Sequence, residues 1–491
     1  THVGWPQWNS AQEDALRRYL QGLANSSPRK ARAVIANLER DHRERRQLVW
    51  AQLAESPLAN ALEHLADLAR RTANPCASAH LDSLEREYTT EGWKADCAML
   101  QTLAAAAKCP EPQVILAPAR LLYEEWADES AYALQSASVD KGYPWGSKQD
   151  ARNSGGRDGE CILFVDALRF DLAKALADEL TKANARVEET PRWAALPTLT
   201  QTGKPAVSPV RHRIAGRKAT EDFEPEAAET GTSLKGGQQL KRLLADEGWT
   251  MLDEPGALGL VGKGWLEFPD LDKTGHSDGW KAASRFEGLI RELAAQVVRL
   301  LYAGWQSVRV VTDHGWLLLP DGLKRVDLPT FLTVNKWGRC ALLTDSASKG
   351  EKLLPWFWDP DQQFAFAPGI SAYRAGMVFT HGGVSLQECL TLELKVTRQD
   401  AQPAKTRVSS AQWKNLLCRV TVDGAPAGAV ADIRRNAGDA ASSIAYTTKP
   451  VPEDGMLSLH AKDDHEGERV FVIVTADDGS QLAQLETKVG G

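Results

Sequence analysis

Short, uninterrupted apolar runs alternate with amphipathic stretches through the middle of the chain. Residues 161–165 are continuously apolar, as a strand buried on both faces requires; residues 308–311 read as another buried strand, and residues 377–380 and 185–188 also read as strands. Between them, residues 168–184 and 281–304 carry helical spacing. The second helix sets Leu289, Ile290, Leu293, Val297, Leu300 and Leu301 on one stripe. This alternation predicts an α/β fold over residues 156–400, with a mostly parallel sheet sandwiched by helices. Residues 212–250, rich in Gly, Glu and Lys, read as an excursion from it.

Both flanks have a different pattern. Residues 1–155 predict a helical N-terminal region, in which Ser10 with Glu13 reads as a capping box and Ser27-Pro28 opens a second helix. Its last part, residues 140–160, mixes Gly, Pro, Ser and charge without period and reads as a linker or surface loop. Past residue 400 the helical spacing stops. Residues 417–422, 444–447, 456–460 and 470–474 have strand character, and Asp423-Gly424, Asp454-Gly455 and Asp478-Gly479 offer turns. Residues 401–491 therefore predict a small β-sandwich that serves as an interaction module.

Composition narrows the class. With 491 residues, 43% of them hydrophobic and 25% charged, the chain has the profile of a globular protein of two or three domains. No run is long enough to span a membrane and no signal region opens the chain, so no membrane partner is expected. The first residue is Thr1 rather than Met, which points to a fragment or a processed chain. Seven cysteines without C-x-x-C spacing indicate reduced thiols and a cytoplasmic location. The net charge of −7 disfavours indiscriminate binding to nucleic acid. The first fifty residues nevertheless crowd Arg43, Arg45 and Arg46 together, as either a solvated helix face or a docking surface.

Candidate chemistry gathers where apolar runs end. Asp166 follows the first strand, a place that suits a metal ligand and equally a helix cap. Thr198, Thr200 and Thr202 fall in one turn, which hydroxyls can simply brace. Asp272 and His276 share a D-x-x-x-H spacing, with Gly275 letting a loop curl so that both face one ion. Asp313-His314-Gly315 and His381-Gly382-Gly383 each follow a strand. Three carboxylates, three imidazoles and a hydroxyl at strand ends could hold two divalent ions in the crevice of an open sheet. Mixed imidazole and carboxylate donors favour zinc, with manganese or magnesium as alternatives. Trp265, Trp280 and Trp316 flank these positions and read as core or as platforms for nucleobases.

The local patterns, in this order, resemble the alkaline phosphatase superfamily and, within it, the PglZ family of BREX phage-defence systems. The resemblance is carried by Phe164-Val-Asp-Ala-Leu-Arg-Phe-Asp171, Pro197-Thr-Leu-Thr200, Asp272-Lys-Thr-Gly-His276, Val311-Thr-Asp-His-Gly315 and Phe379-Thr-His-Gly-Gly-Val-Ser-Leu-Gln-Glu388. It covers about residues 160–395 and implies an alkaline-phosphatase-like domain with two divalent ions and phosphate-ester hydrolysis. One ion would be held by Asp166, Thr200, Asp313 and His314, and the other by Asp272, His276 and His381. Thr200 would be the nucleophile, although Thr198 stands where the family's loop has a small hydroxyl residue, so either threonine fits. Arg169 and Lys204 are the nearby cations that could meet the substrate. The expected function is a metal-dependent phosphodiesterase, a nuclease working with other BREX proteins on nucleic acid. A phosphomonoesterase acting on a nucleotide or phosphoprotein, and a non-catalytic scaffold, are the alternatives.

Overall fold

The computed structural model describes residues 4–144, 156–216, 222–252, 262–329, 332–344, 352–398, 406–426, 428–452, 454–476 and 479–490. The chain divides into two compact units, residues 1–398 and 399–491. Of the linker expected at 140–160, residues 145–155 lie outside the described residues, as does Asp478 of the last expected turn.

The larger unit is built on a six-stranded sheet. In chain order its strands are β1 (Glu160–Val165), β2 (Ala185–Trp193), β3 (Trp249–Met251), β4 (Lys263–Phe268), β5 (Ser307–Val311) and β6 (Leu390–Arg398). They lie side by side as β2-β6-β5-β1-β4-β3. β5, β1, β4 and β3 pair in parallel, whereas β6 runs antiparallel to both of its neighbours. The sheet is therefore mixed. β6 buries Leu390, Leu392, Leu394 and Val396 on one face and sets Thr391, Glu393 and Lys395 on the other, where Glu393 accepts from Arg192 at 3.1 Å. Helices Phe170–Lys182 and Ala283–Tyr302 cover the sheet with their apolar stripes. The run before His381 is shorter than expected: Phe379–Thr380 pairs with Leu317–Leu318 in a separate two-stranded ribbon.

Residues 6–141 are almost wholly helical and share a single apolar core with the sheet. Two polar contacts fix this region to the parts that carry the site. Gln135 donates to the carbonyls of Ala367, Gly369 and Val384 at 3.2, 2.9 and 2.9 Å. Asp96, buried, accepts from Tyr88 at 2.7 Å and from Tyr123, while its carbonyl accepts from Arg169.

Two expectations for this region change. Ser10 lies inside helix Pro6–Gln21, so it caps nothing. Glu13 instead reaches across to helix Pro57–Arg71, where it accepts from the backbone N–H groups of Leu58 and Ala59 at 2.9 and 3.3 Å. The basic cluster is also not a docking surface at its centre. Arg45 is buried and donates to Glu13 at 2.7 Å and Asn9 at 2.8 Å, and Arg46 pairs with Glu39. Ser27 does cap helix Pro28–His42, accepting from Lys30 N–H.

The smaller unit contains two antiparallel sheets, Arg407–Lys414 with Leu417–Asp423 and Met456–His460, and Lys449–Pro450 with Val430–Arg434, Arg469–Thr475 and Gln481–Lys488. Val420, Ile433, Leu459 and Val472, drawn from both sheets, meet in one core.

Candidate metal centre

Asp166, Asp313 and His314 bring one ligand atom each within 4.8 Å of one another, and so do Asp272, His276 and His381. Asp166 directly follows β1, and the Asp313-His314 pair lies just beyond the neighbouring β5, so parallel pairing delivers these side chains to the same end of the sheet. Asp272 and His276 arrive differently from the expected curling loop. They lie in helix Asp270–Asp278, where a spacing of four puts both on one face. Gly275 is needed for packing, because a Cβ there would come within 2.2 Å of the Phe379 ring, which precedes His381.

The two triads are contiguous. The His314 and His381 rings stack at 4.0 Å between centroids with 16° between planes, and His276 meets His381 edge-on at 5.6 Å. Each buried imidazole is oriented by a backbone carbonyl. His314 Nδ1 lies 3.0 Å from Gly315 O, and His381 Nδ1 lies 3.0 Å from Thr198 O. A carbonyl can only accept, so the proton sits on Nδ1 and the Nε2 lone pair faces the carboxylates. His314 Nε2 is 3.4 Å from Asp313, and His381 Nε2 is 3.7 Å from Asp272.

The electrostatics suit a cation. Asp166 Oδ1, Asp272 Oδ1 and Asp313 Oδ2 are buried and receive no hydrogen bond among the described residues. Burial, followed by the Asp313 and Asp272 charges, pushes Asp166 up to about 9. Burial also raises Asp272 and Asp313. His314 and His381 are pushed down to about 4, by burial first and, for His381, by His314 next. Neutral imidazoles beside carboxylate oxygens that receive no hydrogen bond among the described residues form a donor set that a pair of divalent ions would satisfy.

A stability prediction follows from these shifts. With a value near 9 against an ordinary 3.8, folded Asp166 keeps a proton that the unfolded chain has lost. Its contribution is complete below the ordinary value and fades as pH rises toward 9. The two histidines, lowered from 6.5, act only below that value. Chelator-treated protein should therefore lose thermal stability from pH 7 to 9, with Asp166 alone contributing up to about 1.4 kcal/mol per pH unit. Saturating zinc should flatten the profile. A metal-free melting temperature that rises over this range would contradict the assignment.

Thr200 opens helix Thr200–Val207, and its Oγ1 lies 3.2 Å from His314 Nε2. Gly203 lets this helix touch the sheet end, since a Cβ there would sit 2.7 Å from Asp313 Cβ. Thr198 is fully buried, and its hydroxyl donates to Gly383 O at 2.8 Å and accepts from Gly382 N–H at 3.1 Å. Of the two hydroxyls, that of Thr200 faces the triads.

The two candidate cations part company. Lys204, one turn along from Thr200, stays beside the site and donates to Glu267 at 2.7 Å. Glu267 escaped the sequence reading, although the alternation of residues 263–268 marks its strand. Arg169 does not face the triads. It is buried, bonded twice to Asp171 at 2.7 Å and stacked 3.9 Å from the Trp316 ring, so its charge is committed to the interior. Trp265 and Trp316 are also fully buried and serve as core, not as platforms for bases.

Among the described residues no helix is long and apolar enough to cross a membrane. No protein-family model and no curated protein matches the chain. Among solved structures it is similar to murine ectonucleotide pyrophosphatase/phosphodiesterase 5, with 11% identity, 48% of this chain and 87% of that one covered, and a TM-score of 0.33. The inactive form of that mouse protein in complex with AMP gives the same identity and coverage at a TM-score of 0.30. So loose a likeness carries no chemistry, and the reading of the site rests on the distances above.

Proposed function

We propose that this protein is a metal-dependent phosphodiesterase with Thr200 as nucleophile. The observation that carries this reading is the placement of the Thr200 hydroxyl against two contiguous Asp/His triads joined by the stacked His314 and His381 rings. Asp166, Asp313 and His314, with Thr200, would hold one divalent ion, and Asp272, His276 and His381 the other, zinc being the best match to the donors. When bound, such ions lower the pKa of a coordinated hydroxyl and neutralise charge on a phosphoryl oxygen.

The chain's own part is positional. The helix start aims the Thr200 oxygen, and the Gly315 and Thr198 carbonyls fix both imidazoles in the ligating tautomer. The Thr200 hydroxyl would lose its proton to solvent and its oxygen would form a bond to phosphorus as the bond from phosphorus to the ester's alkoxide breaks, the alkoxide taking a proton from water. Water would then cleave the phosphothreonine and return the free hydroxyl. The motif resemblance to PglZ supports a nucleic-acid substrate, and a role beside other BREX proteins in the cytoplasm.

Turnover of bis(p-nitrophenyl) phosphate and p-nitrophenyl phosphate with added zinc or manganese tests the reading. The diester should be the better substrate by kcat/KM. A clear preference for the monoester would favour a phosphomonoesterase instead. Hydrolysis of neither ester, with two metal ions bound, would leave a scaffold.

A further inference from the structure

Glu267 faces the proposed site from β4 and is held from two sides. Its Oε2 accepts from Lys204 Nζ at 2.7 Å, and its Oε1 accepts from the buried Trp265 indole at 3.0 Å. Trp265 is itself fixed, stacked on Phe164 at 5.9 Å with 10° between the planes. Phe164 pairs in register with Glu267 and lies two residues before Asp166, so these side chains share one face of the sheet. Lys204 Nζ lies 4.9 Å from the Phe164 ring and one helical turn beyond Thr200. The pair therefore sits immediately beside the first triad.

Resting on the proposed activity, we infer that Glu267 is a specificity residue, which cancels the Lys204 charge and so biases the site toward singly charged phosphodiesters. Charge counting gives the reason. Three ionised aspartates and an ionised Thr200 oxygen sum to minus four, matching two dications, and the Lys204–Glu267 pair adds nothing. A diester brings one negative charge to this neutral frame. A monoester dianion brings two, and Lys204, the cation one turn from Thr200, is already held by a carboxylate. Lys204 and Glu267 are only partly exposed, at 21% and 30% of their side chains, so a charge left uncompensated beside them is screened less than in bulk water.

The test compares kcat/KM for bis(p-nitrophenyl) phosphate and p-nitrophenyl phosphate in the zinc-loaded protein and two variants. Glu267→Gln keeps the shape and frees the Lys204 charge, and should raise the monoester-to-diester ratio about tenfold or more. Lys204→Met leaves a bare carboxylate and should move the ratio the other way. Opposite signs are not what a merely structural pair would give. A ratio that stays within about twofold in Glu267→Gln, or shifts in one direction in both variants, overturns the inference. If Glu267→Gln fails to fold, the sign of the Lys204→Met shift decides. An unmoved ratio in an active enzyme sinks this inference alone, whereas absence of turnover by the unmodified, metal-loaded protein sinks the proposed activity and this inference with it.

Discussion

Thr200→Ala should lower phosphodiester turnover by about a thousandfold or more while leaving both metal ions bound. The two halves of that result have separate origins. Removing the hydroxyl deletes the atom that would form the bond to phosphorus. The remaining donors of its triad, Asp166, Asp313 and His314, approach one another whether or not the hydroxyl is there. Asp313→Asn should fail differently. The aspartate is fully buried, with one oxygen held by the N–H groups of Ala167 and His314 and the other without a donor among the described residues. An amide in its place retains the shape but loses the charge, so metal content should fall from two ions toward one and activity with it. Metal analysis beside the kinetics separates the cases. Thr200→Ala with more than about a tenth of the original rate would remove that residue from the chemistry.

How far the sequence revealed this arrangement depends on whether a residue's neighbours in space are also its neighbours in the chain. Asp166 and Asp313 are legible because each lies within two residues of the end of a buried strand, and strand ends of an open sheet converge whatever the remaining topology. The grouping of Asp272 with His276 was visible from spacing, but the reason was not. A helix supplies it, and Gly275 answers to the Phe379 ring, which is distant in sequence. Arg169 could not be placed from its position beside Asp166. Its side chain follows the buried Asp171 and Trp316 into the interior, a choice made by tertiary partners. β6 is a different case. Its period of two from Leu390 to Val396 is legible, but a strand with one polar face stands out less than the continuous apolar run of β1. The choice between Thr198 and Thr200 had no local signal at all, because it depends on Gly382 and Gly383 approaching one of them from far along the chain.

Arg339→Met should cost about 3–5 kcal/mol of folding stability, read from the urea midpoint, and should weaken metal binding at Asp272, His276 and His381. Arg339 and Glu388 are both fully buried. Arg339 Nε donates to Glu388 at 2.9 Å, and its other nitrogens donate to the carbonyls of Ser371 and Gly369. The same carboxylate accepts from Gly383 N–H at 2.8 Å and from Ser385 at 2.7 Å, so it ties down the loop that begins at His381. The close fit is visible at Gly383, where a Cβ would come within 2.5 Å of the guanidinium. Methionine fills a similar volume but leaves Glu388 ionised without a cation, and an unpaired buried charge is the costly outcome. Arg339→Met combined with Glu388→Gln removes that charge and should recover part of the loss. Arg339→Lys should fall between, since an ammonium cannot reproduce the planar fork that reaches Glu388, Ser371 and Gly369 together. If Arg339→Met unfolds within about 1 kcal/mol of the parent, the pair does not hold the loop, and the His381 ring is oriented by Thr198 alone.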